Sequence, residues 1–201
     1  MILKKVILFF FILNFFLLEG QTANDSVPTH KLPPWTFKFG IDAMGYSGIE
    51  AQLNFFVQGK YTIGFGAWNV NRKSKNTPTD YHLTNNFTKR TKRSIRERLV
   101  SFGLLTGYII HIPQTKDRFH LQAGIYYNKL KYPDNFKKET HYNLLFETNY
   151  SYSWVEKHYI SLVLSPSFDF PMSKAFGISL QPKILLSLKE INMMMNVSIF
   201  F

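Results

Sequence analysis

Apolar and polar side chains alternate along most of the chain from Trp35 to Phe201. A period of two residues is typical of a β-strand, because successive side chains in a strand point to opposite faces. About nine segments alternate in this way, near the length of roughly 9–11 residues that a tilted strand needs to cross a bilayer. No segment after residue 34 keeps the period of about 3.6 residues that marks an amphipathic helix. The pattern therefore predicts an all-β protein.

The two faces of these strands carry different kinds of side chain. One face has Phe, Ile, Leu and Tyr, and the other has Gly, Ser, Asn, Gln and Thr with occasional charged residues, namely Lys38, Asp42, Glu50, Asp169 and Lys183. A soluble barrel would point the bulky face inward, where eight strands leave room only for side chains or one small ligand. A soluble exterior would also be rich in Lys and Glu, and these strands carry few. The pattern favours an antiparallel up-and-down transmembrane β-barrel, with the bulky residues towards lipid.

The number of strands is eight or ten, because bacterial barrels of this type have even counts. Either residues 81–87 supply a weak tenth strand, or residues 142–154 project above the membrane as an arm and leave eight. We favour ten. Pro166 and Pro182 fall inside predicted strands, where proline removes a ladder donor, and we expect a local bulge at each.

The N-terminus reads as a secretory signal peptide. Lys4 and Lys5 precede an apolar run at residues 6–18, and small residues follow it. The run is shorter than the roughly 20 residues of a membrane-spanning helix, so an uncleaved anchor is the less favoured alternative. The predicted division is residues 1–23 as signal peptide, 24–34 as an extended lead-in and 35–201 as the barrel domain.

The last predicted strand ends the sequence on Phe201, with apolar residues at every second position before it. This ending resembles the C-terminal signal by which the assembly machinery of the outer membrane recognises its barrels. With the signal peptide, the chain resembles the small outer-membrane β-barrel proteins common in Bacteroidota, over about residues 35–201 and at the level of pattern. The resemblance implies a monomer in the outer membrane of a Gram-negative cell, with Phe201 as part of the assembly signal.

The charge is strongly positive, +11 from 24 Lys and Arg against 13 Asp and Glu. Much of it lies in one polar stretch, at Arg72, Lys73, Lys75, Lys89, Arg90, Lys92, Arg93, Arg96 and Arg98. In a membrane barrel these cations would lie near phosphate-bearing headgroups. We therefore predict a surface loop that contacts outer-membrane lipid or lipopolysaccharide, and we do not expect nucleic acid as a partner.

The sequence contains few candidates for a catalytic or metal-binding site. It has no cysteine, its six histidines show no metal-ligand spacing, and no hydrolase, metalloprotease or phosphate-loop motif occurs. A lipid-modifying scheme would have to draw on His158 and Ser161, or on His120, without support from their spacing. Asp169 and Lys183 lie on the polar faces of consecutive strands and could form a structural pair in the lumen. We expect no cofactor, no metal and no catalytic residue.

These observations predict a non-enzymatic outer-membrane barrel with a structural or surface-interaction role. Two alternatives remain open at this point. One is a soluble periplasmic or secreted barrel that binds a small apolar ligand, and the other is a lipid-modifying enzyme of the outer membrane.

Overall fold

The computed structural model describes residues 34–43, 45–92, 94–112, 115–143, 145–173, 176–188 and 191–201. The predicted signal peptide, the lead-in up to residue 33 and Arg93 of the basic stretch lie outside these residues. The described residues contain no helix that is long and apolar enough to span a membrane.

The described residues form ten strands, which we number in chain order. They are β1 Trp35–Ala43, β2 Ser47–Val57, β3 Tyr61–Lys73, β4 Leu83–Asn85, β5 Arg90–Lys92, β6 Arg96–His111, β7 Arg118–Tyr142, β8 Phe146–Pro171, β9 Gly177–Leu186 and β10 Ile191–Phe200.

Eight of these strands close into an antiparallel ring. Neighbours along the chain pair with one another, except that β3 pairs with β6 across the intervening β4 and β5, and β10 closes the ring against β1. The short hairpin of β4 and β5 joins the outer part of β8 instead. The predicted all-β antiparallel barrel is confirmed, with ten strands in the sheet and eight in the ring.

Both alternatives for the strand number describe real features. Residues 81–87 contain β4, but its three residues are far fewer than the roughly 9–11 that cross a bilayer, so it adds nothing to the ring. Residues 142–143 and 145–154 belong to a projecting hairpin. The last residue of β7 that pairs with β6 is Lys131, and β7 and β8 continue together beyond it. We call residues 132–143 and 145–155 the arm.

The two ends of the barrel differ. Trp35 and Phe200 lie at the terminal end, where Phe201 and Phe37 exchange backbone hydrogen bonds of 2.9 and 3.1 Å. The arm and the β4–β5 hairpin rise from the opposite end, which we call the loop end. At about 3.3 Å per residue, the eleven residues of β7 in the arm would extend roughly 35 Å.

The facing of the side chains is that predicted for the transmembrane alternative. Phe39, Phe102 and Ile160 on the outer wall are 48, 59 and 66% exposed, whereas Asn54 and Ser165 in the lumen are fully buried. All five charged residues assigned to the polar face are buried, at Lys38, Asp42, Glu50, Asp169 and Lys183. A ligand-binding barrel of the soluble kind would have the reverse facing.

Pro166 and Pro182 interrupt the hydrogen-bond ladder between β8 and β9 without forming a β-bulge. The expectation of a local bulge at each proline was therefore wrong. Pairing between β8 and β9 runs to Leu164↔Ile184, lapses for three residues on each strand, and resumes at Phe168↔Leu180 in the same register. That register places Pro166 opposite Pro182. Since neither nitrogen carries a hydrogen, the two prolines share one gap in the seam.

Candidate functional site

The lumen at the terminal end is closed by an ion pair and its hydrogen bonds. Lys38 Nζ lies 2.6 Å from Asp169 Oδ1 and also donates to Ser167 and Ser179. Ser179 in turn donates to Asp169 at 2.6 Å. The side chain of Arg118 lies over the Phe200 ring, 5.3 Å from its centroid. The buried charge of Asp169 is therefore neutralised and hydrogen-bonded, as burial requires.

Amide side chains fill the middle of the lumen. Gln52 Nε2 donates to Asn54 at 2.7 Å and to Gln122 at 2.8 Å, and Gln181 Nε2 donates to Ser165 at 2.7 Å. All five residues are at most 1% exposed. These groups come from β2, β7, β8 and β9, so the network ties opposite walls of the ring together and occupies the space that a channel would need.

Lys183 lies in the next layer, between two carboxylates. It contacts Glu50 directly, lies 3.9 Å from Asp42 and lies over the Trp68 ring. Asp169 and Lys183 thus share the lumen without pairing with each other. Asp169 is opposite Ser179 in the register of β8 and β9, which leaves Lys183 four residues, or about 13 Å, further along the strand.

Aromatic and aliphatic side chains close the lumen towards the loop end. Tyr126 stacks on Trp68 with ring centroids 4.1 Å apart. Gly66 and Gly103 are paired neighbours, and the Tyr126 ring occupies the space that a side chain at either position would need. A depression of about 470 Å³ does occur, but it is on the outer wall among residues such as Phe65, Ala67 and Phe102.

The residues considered for a lipid-modifying scheme do not come together. Ser161 is buried in the lumen, whereas His158 is exposed on the outer wall, where it bonds to the Tyr127 hydroxyl at 2.6 Å. His120 is buried against Thr62 at 2.7 Å. Within the part of the chain that the structure describes, no group of three His, Asp or Glu residues could hold a metal ion.

The predicted basic loop divides into groups with different surroundings. Arg72 lies on the lumen face of β3 at the loop end, where it donates hydrogen bonds to Glu97 at 2.7 Å and to Asn192 at 2.9 Å. Lys75 is exposed, and its backbone nitrogen donates to Glu97. The remaining described members are exposed, either on the outer wall at Lys73, Arg96 and Arg98 or on the β4–β5 hairpin at Lys89, Arg90 and Lys92.

The outer-wall cations form a continuous patch with two lysines of β7. Lys73 is opposite Arg96, and Arg98 is opposite Lys131. Lys129 follows on the same face and bonds to Glu156 at 2.8 Å. We call Lys73, Arg96, Arg98, Lys129 and Lys131 the cationic rim.

The cationic rim lies directly beside the apolar outer wall. Continuing down the same faces of β6 and β7 are the exposed side chains of Phe102, Leu104, Ile125 and Tyr127. Lys129 and Lys131 were missed by the sequence reasoning, although a signal was present. They continue the alternating positions of Ile125 and Tyr127, so the change from apolar to cationic marks the edge of the apolar band.

The barrel resembles known proteins in its fold. No protein-family model matches the chain, and no curated protein sequence does. The N-terminal β-barrel domain of OprF from Pseudomonas aeruginosa matches with a TM-score of 0.53 and 10% identity, over 83% of this chain and 95% of that one. Ail, an outer-membrane protein of Yersinia pestis, matches with a TM-score of 0.50 and 9% identity, over 83% and 97%.

This chain has the fold of the small outer-membrane β-barrels. At identities of 9 and 10%, the likeness concerns the fold alone. What the barrel does must be argued from its own side chains.

Proposed function

We propose that this protein is a non-enzymatic barrel of the bacterial outer membrane, whose cationic rim binds the phosphate groups of lipopolysaccharide. The observation that carries the proposal is the position of the rim. Its five cations lie on the outer wall, immediately beside exposed Phe102 and Tyr127. This is where the headgroups of a lipid begin if its acyl chains cover the apolar wall.

The loop end is the end we assign to the cell exterior. Barrels of the outer membrane have short periplasmic turns and longer extracellular segments, and among the described residues the long segments, the arm and the β4–β5 hairpin, lie at the loop end. The rim then faces the outer leaflet, where lipopolysaccharide resides. The predicted signal peptide and the C-terminal Phe201, which would engage the assembly machinery, complete this proposal for its location.

Electrostatics favour phosphate as the rim's ligand. A Lys or Arg near an anionic membrane surface contributes about 1 kcal/mol of attraction. Of the five cations, Lys129 is partly offset by Glu156, whereas Arg96 and Arg98 present planar guanidinium groups that suit bidentate contact with phosphate. Several such contacts side by side bind a multiply phosphorylated headgroup better than a neutral one.

The same observations support a role without catalysis. The lumen is filled by hydrogen-bonded side chains, and the histidine and serine of the enzyme alternative lie on opposite faces of β8. The outer wall and the loop end are then the surfaces through which this barrel acts.

A matched pair of variants tests the proposed ligand. The rim variant carries Arg96→Gln, Arg98→Gln and Lys131→Gln, and the control removes the same charge from the β4–β5 hairpin with Lys89→Gln, Arg90→Gln and Lys92→Gln. Each protein is folded in detergent, and its thermal unfolding is followed with and without lipopolysaccharide. We expect lipopolysaccharide to stabilise the wild type and the control but much less the rim variant. Equal stabilisation of all three proteins would overturn the proposal.

Location is tested separately by fractionating expressing cells and comparing boiled and unboiled outer-membrane samples on a denaturing gel. We expect the protein in the outer membrane with a heat-dependent change in mobility. Recovery in the soluble periplasm would contradict the proposed location.

A further inference from the structure

Two turns meet at the far end of the arm. The turn between β4 and β5 lies beside the turn between β7 and β8, and Asn86 joins them. Its backbone nitrogen donates to Leu145 O and its side chain donates to Asn143 O, both at 2.9 Å. The two turns therefore form one surface, which we call the arm tip.

An asparagine side chain shapes each turn from within. Asn85 Oδ1 accepts from the backbone nitrogens of Phe87 and Thr88, at 3.0 and 2.9 Å. Asn143 Oδ1 accepts from those of Leu145 and Phe146, at 2.9 and 2.6 Å. Such local bonds set the turn backbone in advance, so the side chains that the turns present are held in place.

The side chains presented at the tip are apolar. Phe87 is 76% exposed, Leu145 is 50% exposed and Phe146 is 39% exposed. Elsewhere on the arm, the rings of Phe136 and Tyr150 pack against each other and against Tyr81 of the neighbouring segment. Adjacent apolar groups that are held outward on ordered turns mark an interaction surface rather than an incidental exposure.

Cations flank this apolar surface. Lys89 is exposed in the turn two residues after Phe87, and Arg90 and Lys92 are exposed on β5, which pairs only with β4 in the described sheet. Apolar side chains beside Lys and Arg are the combination that binds an anionic bilayer, since the apolar groups enter the headgroup boundary and the cations remain at the phosphates.

The arm separates this tip from the cationic rim. The rim ends at Lys131, and the arm continues for roughly 35 Å beyond it. With the ring in one membrane, an arm of this length that continues along the strand direction would place its tip clear of that membrane.

We propose that the arm tip docks on a second, anionic phospholipid bilayer, with Phe87, Leu145 and Phe146 at the headgroup boundary and Lys89, Arg90 and Lys92 on the phosphates. This inference rests on the proposed function in one respect, which is that the loop end faces outward. It assigns the apolar tip and the hairpin cations a ligand distinct from that of the rim.

The test uses the full barrel in nanodiscs of uncharged phosphatidylcholine, mixed with separate vesicles. The vesicles are phosphatidylcholine alone or a three-to-one mixture with phosphatidylglycerol, and bound protein is measured by flotation. We expect binding to the anionic vesicles at least tenfold above the neutral ones. Absence of binding to anionic vesicles, which would leave a protein as the partner of the tip, overturns the proposal.

Matched variants locate the contact. Phe87→Ser with Leu145→Ser should lower binding about tenfold, whereas Met172→Ser with Leu188→Ser removes two exposed apolar side chains elsewhere and should leave it unchanged. The rim variant should bind these vesicles as the wild type does. Loss of vesicle binding in the rim variant would overturn the assignment of the contact to the tip. The lipopolysaccharide measurement needs no second bilayer, so failure of either proposal is seen separately.

A spectroscopic measurement distinguishes insertion from adsorption. In a Phe87→Trp variant, the added tryptophan should be quenched by anionic vesicles with brominated acyl chains, in excess of any quenching in the wild type. Binding without added quenching would contradict insertion of the tip.

Discussion

Strands β7 and β8 run through both the ring and the arm, yet these two parts of the barrel are held together differently. In the ring, buried ions and amides cross the lumen, and Gln52, Gln122 and Gln181 connect strands far apart in sequence. In the arm, side-chain hydrogen bonds lie at exposed positions. Its register also shifts between Asp134 and Lys137 and between Lys138 and His141.

The difference follows from what surrounds each part. A wall facing lipid leaves polar groups only the lumen in which to find partners, so buried polar side chains there bond to one another. The arm, in contrast, has water on its surface. There Asp80 joins the neighbouring segment to the arm through Lys138 at 3.0 Å and Tyr150 at 2.7 Å. We therefore expect substitutions in the ring to have large effects on stability and those in the arm to have small ones.

The largest effect should come from removing one partner of the lumen ion pair. Lys38→Met leaves the buried Asp169 carboxylate without the cation that is hydrogen-bonded to it and should lower the free energy of unfolding by about 3 kcal/mol. Urea unfolding of the barrel in lipid measures it. The double variant Lys38→Met with Asp169→Leu should recover most of the loss. A single variant as stable as the wild type would contradict the role of the pair.

An intermediate effect of opposite sign is expected at the seam between β8 and β9. Pro166→Val with Pro182→Val supplies two backbone donors where the ladder lapses. At about 1 kcal/mol for each hydrogen bond, the double variant should be more stable by about 2 kcal/mol. The urea midpoint of unfolding measures this change. Either single variant should show roughly half of it, and a less stable double variant would show that the seam needs its prolines.

The smallest effect concerns the arm and depends on pH. Hydrogen bonds from Tyr150, and then from Lys138, lower the pKa of Asp80 below its ordinary value of 3.8. A lowered pKa means that folding favours the carboxylate. The contact should therefore be fully present above pH 3.8 and lost as the pH falls through the lower pKa of the folded arm.

Nuclear magnetic resonance signals of the Tyr150 side chain should report the loss of this contact, while the eight-stranded barrel stays folded. The Asp80→Asn variant should show a weakened contact at every pH and no transition. A wild-type Tyr150 signal that is constant through this acid range would contradict the assignment.

Alternation was enough to predict which residues of the ring face outward, because that property depends only on the period of each strand. It placed Lys38, Asp42, Glu50, Asp169 and Lys183 in the lumen, where they are buried. It offered a weak strand at residues 81–87 and an arm near residues 142–154 as alternatives. It did not predict which of these would enter the ring, since that depends on whether β4 pairs with a ring strand or with the arm.

The strand periods, the polarity of the two faces and the cationic stretch can be read from the amino-acid order alone, because each is a property of neighbouring residues along the chain. The pairing of Asp169 with Lys38, the contact of Lys183 with Glu50 and the position of Pro166 opposite Pro182 follow from the fold. These contacts depend on the register between paired strands. A register shift of two residues leaves each side chain on the same face of the sheet but changes the residue opposite it. The cationic rim arose in the same way, when pairing of β6 with β7 brought Lys129 and Lys131 beside Arg96 and Arg98.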